Sequence, residues 1–498
     1  MYYDIFVEIA EYLPIRSVLL LSSISRCARE ILYNEKVVNK YSLQINSKSL
    51  QHLSYIPFII NVNLTENNKI SNNDLKYLKN IRTINITRCY QFNNLSLCYF
   101  ENIVDINISQ CDHISDLGLR YLKNVKKLNM SYCTRINGIA FSFLNLIELT
   151  MMGCLNVMDD NFKFLSQILK LNIGFCSQIT DNALKHLLCV TDLTAQNCKN
   201  ISSNGLQNLK KLQKLNISSC FQLKDCSLVN LVNLTELDIS HTYLSDKTLK
   251  SLKNLNNLKM ISCNNISDNI FYYLTNIQEL NINWCRQLTD FALIPLKVLR
   301  KLSMLGCDKI GDIGLGTLSD LQTLVISGIC GNNITNDGFK NLVNLTELNM
   351  SQWNTTHITT DMFCYLKNLK ILNVSYCEFI NDNCFQELTQ LQKLNVSHCL
   401  NISNNAFKYL PELLCLDISY CTQSSITNEG FDYITKLEVL DISCCNENNI
   451  THIIFDKLKS LKYLNMFSCI RKIHPSKLKK MGLLEFNNCS VFDIYMPL

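Results

Sequence analysis

The sequence predicts an α/β solenoid: about twenty strand–turn–helix units stacked into a curved parallel sheet, preceded by a small all-α segment. Three observations predict it. An apolar line recurs along the 498 residues, mostly every 22. Within each recurrence the apolar spacing switches from two to three. A cysteine closes the first half of sixteen of the twenty copies.

The lines begin at Val62, Ile84 and Ile106 and run to Leu464 and Leu484, always 20 to 24 residues apart. Each unit reads approximately L-x-x-L-x-I-x-x-C-x-x-I-[ST]-D-x-x-L-x-x-L. Period two marks a short strand, and the following period three marks a short helix. Ser115-Asp116, Thr180-Asp181, Ser267-Asp268 and Thr289-Asp290 stand where such a helix needs its N-cap. One unit cannot bury its apolar side alone, so neighbours must stack. Asp105, Lys127, Glu148, Lys170, Asp192, Lys214 and Glu236 alternate in sign through seven units just before the strand line. Alternation is what lateral neighbours in a parallel sheet require, so this ladder reads as register control.

The cysteine, as in VKKLNMSYC at 125–133, falls where strand turns toward helix. A small inward side chain suits that corner, and a thiol there packs as a hydrophobe while donating weakly to a loop carbonyl. No C-x-x-C pair exists, which argues against a metal site. Stacked cysteines would carry parallel Cβ vectors, which argues against disulfides. No cofactor or metal is expected.

Net charge is +5 with 47% apolar residues, too weak a charge to announce a nucleic-acid partner. No run of 18 apolar residues suggests a membrane span, and MYYDIFVEIAEYLP lacks the basic start of a signal peptide. The 25 cysteines are therefore expected as thiols in the cytoplasm or nucleus (of a host cell, for a viral source). Sequons such as Asn129-Met-Ser131 and Asn395-Val-Ser397 read as by-products of the repeat.

Over roughly residues 60–489 the pattern resembles leucine-rich repeats, specifically the cysteine-containing subtype. Residues 1–41 depart from it. Ile5, Ile9 and Tyr12-Leu13 form a helical stripe closed by Pro14, and Val18 to Leu21 are apolar around a whole short helix. A second surface must cover that helix, whether a docked partner or the end of the solenoid. The order EIAEYLPIRSVLLLSSISRCAREIL resembles the F-box, the helical module that binds the Skp1 adaptor of cullin-RING ubiquitin ligases. The leading Leu-Pro of that family is missing here, and its third-helix tryptophan falls on Ala28. The resemblance implies adaptor contacts from Ile9, Leu13, Pro14, Val18, Leu19, Leu20, Leu21 and Ile24. The expected organisation is an F-box-like module at 1–41, a linker or cap at 42–61, repeats at 62–489 and a C-terminal cap at 490–498.

Target contacts are expected on the concave strand face, where the residue before each cysteine is usually small. Tyr132, Phe175, Trp284, Tyr376, His398 and Tyr420 are the exceptions, and the last three occupy successive units. They form an aromatic row suited to anchoring a protein, or else ordinary variation of the repeat. GICGNNIT, QWNTTHIT, YCTQSSIT and CCNENNIT carry two extra residues on one rim, as binding insertions or as tolerated ones. In the second, Trp353 takes the cysteine position and is expected to be rerouted outward. No P-loop, nucleophile elbow or zinc-protease motif occurs, and Gly311, Gly314 and Gly316 lie at a repeat turn. The reading is a non-catalytic substrate receptor of an SCF-type (Skp1–cullin–F-box) ubiquitin ligase that holds a protein target. Its rival is a repeat scaffold or inhibitor whose first helices merely cap the array.

Overall fold

The structure, a computed structural model, describes residues 61–79, 81–328, 333–353, 357–445 and 450–468, with the backbone of Leu484–Glu485. The helical segment expected at 1–41, the linker up to residue 60 and the cap at 490–498 lie outside the described residues. The chain divides into two compact units, 1–234 and 235–498.

In the first unit, eight three-residue strands from Asn61–Asn63 to Lys214–Asn216 pair in parallel and in chain order. In the second, strands from Glu236–Asp238 to Leu484–Glu485 do the same. The middle residue of each strand in the first unit is the expected apolar one, buried on the core side, while most flanking residues face solvent. The charge ladder meets as expected: Asp105, Lys127, Glu148 and Lys170 are partners in register. Glu148 sits 3.1 Å from Lys127 and 3.5 Å from Lys170. Both lysine side chains are at least half exposed, so such pairs contribute at most about 1 kcal/mol each.

The last strand residue bends the chain. Asn129 Oδ1 accepts from Ser131 N at 3.1 Å and from Ser131 Oγ at 2.8 Å, and Asn395 accepts from Ser397 N at 2.9 Å. The sequons are therefore turn motifs of the repeat, in which a side-chain amide takes the place of a backbone acceptor.

A short helix of one or two turns follows. It is an α-turn at Asp116–Leu119, Asp181–Leu184 and Asp246–Leu249 and a 3₁₀ turn at Asp159–Leu165 and Asp268–Tyr272. The apolar spacing of three suits so tight a helix, and Leu119, Leu122 and Val125 are wholly buried. Thr180 and Thr289 cap through their hydroxyls, accepting from Asn182 N and Phe291 N. Ser115 and Ser267 do not make that bond.

The aspartate beside the cap performs a second task that the sequence pattern does not announce. It reaches into the following repeat. Asp268 accepts from Thr289 N at 2.9 Å and Thr289 Oγ1 at 2.6 Å, and Asp382 accepts likewise from Ser403 at 2.7 and 2.5 Å. Asp290 accepts from Gly311 N and Gly314 N, each at 2.8 Å. A Cβ on Gly314 would lie 2.6 Å from that carboxylate oxygen, so this glycine is there for the approach of the staple. Side-chain amides add further lateral bonds: Gln287 Nε2 donates to the carbonyls of Cys263 at 2.9 Å and Ile266 at 2.7 Å. Replacing Asp268 by alanine is expected to cost about 1–3 kcal/mol in urea unfolding, because the Thr289 donors lose their acceptor. Asp268→Asn, which keeps one acceptor, is expected to cost less.

Candidate recognition surface

The cysteine corner repeats with little variation. In each of fourteen described repeats the Sγ lies 3.0–3.2 Å from the carbonyl oxygen of the residue that follows the preceding strand, and donates to it. Every described cysteine is a free thiol. Burial pushes the thiols of Cys133, Cys154 and Cys285 up to about 12. A thiol so placed stays protonated and is a poor nucleophile or metal ligand. The corners hold the stack together.

The residue before the cysteine has a different position from the one expected. It is past the strand, in the left-handed region, with φ between 55° and 63° at thirteen non-glycine positions, among them Tyr132, Phe175, Trp284, Tyr376, His398 and Tyr420, and likewise at Glu66, His241 and Gln352 in repeats without that cysteine. Each such residue carries a cost of about 1–2 kcal/mol in a chain of L-amino acids. A lateral bond holds the turn: Tyr132 N donates to Met152 O at 2.8 Å and Trp284 N to Leu305 O at 2.6 Å. The conformation swings the side chain to the edge of the sheet's solvent face, leaning over the next repeat. Trp284 lies over Gly306, where an added Cβ would come within 2.5 Å of the indole.

In the second unit this lean produces a stack. The rings of Tyr376 and His398 are 3.9 Å apart at 16°, and those of His398 and Tyr420 are 4.3 Å apart at 15°. Burial holds the His398 imidazole below its ordinary value, so it is mostly neutral at pH 7. The stack forms one wall of a cleft of about 360 Å³ on the solvent face of the sheet, with Asn395, Asp417, Asp441 and Asn465 across its floor and Phe467 at its end.

The profile of the BspA type leucine-rich repeat region matches residues 177–292, 307–414 and 374–497, in six copies. The chain belongs to this leucine-rich repeat family. No curated protein sequence matches it. Among solved structures, the mouse RP105/MD-1 complex is similar with a TM-score of 0.52 and 18% identity, over 89% of this chain and 86% of that one. An internalin, InlF, from Listeria monocytogenes has a TM-score of 0.44 and 22% identity, over 67% of this chain and 90% of that one. At such identities the likeness concerns the fold alone.

Within this leucine-rich repeat chain, the expected target residues stand in repeats of both units. Tyr132 and Phe175 belong to the first unit and are half exposed, as is Trp284 in the second. Only Tyr376, His398 and Tyr420 are brought into mutual contact. Trp353 corrects the sequence reading: it is wholly buried, and is the largest fully buried side chain described. The indole fills the corner from inside, in a repeat two residues longer than the usual 22. The longer rim at 421–427 is described and is tied down, with Gln423 Nε2 donating to Cys399 O at 3.2 Å. The other three rim insertions are described only in part, since 329–332, 354–356 and 446–449 lie outside the described residues. Three members of the cleft went unnoticed in the sequence. Phe467 replaces the serine seen at Ser397, Ser419 and Ser443, and Asp417 and Asp441 replace the usual asparagine. Comparison of equivalent positions across repeats would have marked all three.

Proposed function

We propose that the chain is the substrate receptor of an SCF-type ubiquitin ligase, holding a protein target on the solvent face of its sheet while its first helices engage a Skp1-like adaptor and thereby a cullin. The observation that carries target recognition is the exposed Tyr376–His398–Tyr420 stack above a cleft, an aromatic anchor of the kind that concentrates binding energy. Support for the adaptor comes from the EIAEYLPIRSVLLLSSISRCAREIL stretch, with Ile9, Leu13, Pro14, Val18 to Leu21 and Ile24 as its contacts. The role is one of positioning, with no catalytic step assigned to the chain. Reduced corner thiols accord with a place in the cytoplasm or nucleus.

Capture by immobilised Skp1 tests the adaptor half. Wild type is expected to bind, and Leu13→Asp with Leu20→Asp is expected to abolish capture without changing thermal unfolding of the repeats. Failure of wild type to bind any Skp1-like protein leaves the rival reading, a repeat scaffold with no ligase role.

A further inference from the structure

We infer that a cleft on the rim of the first unit, between Arg82 and Lys126, binds a phosphate monoester dianion. It lies in the other unit from the aromatic stack, and it does not rest on the proposed function. The cleft, of about 580 Å³, is lined by Arg82, Asn102, Val104, Asn124 and Lys126, with no carboxylate among the described residues that line it. Arg82, Val104 and Lys126 each precede a strand, and those strands pair in register, Thr83 with Asp105 and Asp105 with Lys127. Adjacent parallel strands lie about 4.8 Å apart, so the two cations start about 10 Å apart with Val104 between them. Two long side chains can close that gap around one small anion.

Neither cation is neutralised by a described carboxylate. Arg82 makes no ion pair or side-chain hydrogen bond with any described residue. Lys126 Nζ donates to the neutral carbonyl of Asn145 at 3.2 Å. Over 79–82, 101–104 and 123–126 the cations Lys79, Arg82, Lys123 and Lys126 face the single carboxylate of Glu101. Asp105 and Glu148, the acids of the strand ladder, act on Lys127. The second unit shows how the fold balances such a lysine by itself. Lys462 and Glu438 stand where Lys126 and Val104 do, since Val439 pairs with Tyr463 as Asp105 pairs with Lys127. Their ion pair measures 2.8 Å. In the first unit a valine, 36% exposed, takes the carboxylate's place and leaves the charge for a ligand.

The lining narrows what that ligand is. A guanidinium forks onto phosphate oxygens and an ammonium acts as a point charge, so a tetrahedral dianion with oxygens on both sides suits the pair better than a carboxylate. The amides of Asn102 and Asn124 each commit one hydrogen to a loop carbonyl, Lys79 O at 3.3 Å and Glu101 O at 2.8 Å, and keep a second for an acceptor. The cleft is roomier than a bare phosphate needs and Val104 gives it an apolar contact, so the phosphate is an ester of a small organic group.

The test follows the phosphorus NMR line of glycerol phosphate as the full chain is titrated in. Broadening is expected with wild type, reversed less readily by inorganic phosphate than by unlabelled ester and not at all by acetate. Arg82→Met with Lys126→Met is expected to weaken binding at least tenfold. Val104→Glu, which recreates the Glu438 arrangement, is expected to do the same with an unchanged melting temperature, and decides the matter should the double variant fail to fold. Lys462→Met, whose lysine is already paired, is expected to leave binding unchanged. No broadening with wild type overturns the inference, as does broadening that survives either the double variant or Val104→Glu. Equal competition by inorganic phosphate overturns the ester assignment. Binding to anionic lipid vesicles without binding of either soluble phosphate overturns it too, and makes this rim a membrane contact.

Discussion

Raising the pH from neutrality to about 11 is expected to unfold the repeats cooperatively, although they carry little that titrates in the core except thiols. The sign follows from the corners. Burial pushes Cys111, Cys133, Cys154, Cys198, Cys285, Cys377 and Cys421 up to about 12 in the folded chain. In the unfolded chain a thiol ionises near its ordinary value of about 8.5–9. A group raised by folding contributes stability fully below the unfolded value, and loses it as pH climbs toward the folded one. At about pH 10.5 each such corner has lost roughly 2 kcal/mol. Four corners then forfeit about as much as holds a typical domain together, which is 5–15 kcal/mol. Circular dichroism against pH measures this: a flat signal to about pH 8.5 and collapse between about pH 9 and 11 are expected. Cys133→Ala with Cys285→Ala is expected to weaken the chain at neutral pH but to make its alkaline loss less steep.

The second large effect concerns Trp353. Truncation to alanine removes the largest fully buried side chain described and leaves a cavity among the corners of its neighbours. The expected loss is about 3–5 kcal/mol, in line with other buried aromatic truncations. Trp284→Ala, at 43% exposure, is expected to cost less than about 1 kcal/mol. These are the chain's only two tryptophans, which makes the contrast directly visible. With Trp284→Phe, the remaining emission is expected to be blue-shifted and shielded from acrylamide until unfolding. Emission already red-shifted in the native state would place Trp353 outside.

Much of the fold was legible because each repeat states it again. The apolar line from Val62 onward marked the strands to the residue, and the alternation from Asp105 to Lys170 marked their register. The corner role of cysteine, down to donation to a loop carbonyl, followed from its size and place. Backbone dihedrals were less accessible. Alternation of side chains placed Tyr376 on the strand face, but the chain has already turned there, and only the turn's lateral bond to Ser397 O makes a left-handed tyrosine tolerable. The cap aspartates were visible as caps and not as staples, because their partners lie some 21 residues on. Trp353 misled for a related reason: its size spoke against a corner built for a thiol, whereas the corner of this longer repeat encloses it.

The claim most in need of a direct measurement is that a protein target meets the solvent face of the sheet beside the aromatic stack. A photoreactive phenylalanine analogue placed at Tyr376 or Tyr420, and in separate chains at exposed positions on the helical side, Phe291 within a 3₁₀ turn and Tyr433 at the C-cap of another, would report it by crosslinking and mass spectrometry in cells. A common crosslinked protein from Tyr376 and Tyr420, absent from Phe291 and Tyr433, is expected. Crosslinks to a shared partner from the helical positions alone would contradict the account.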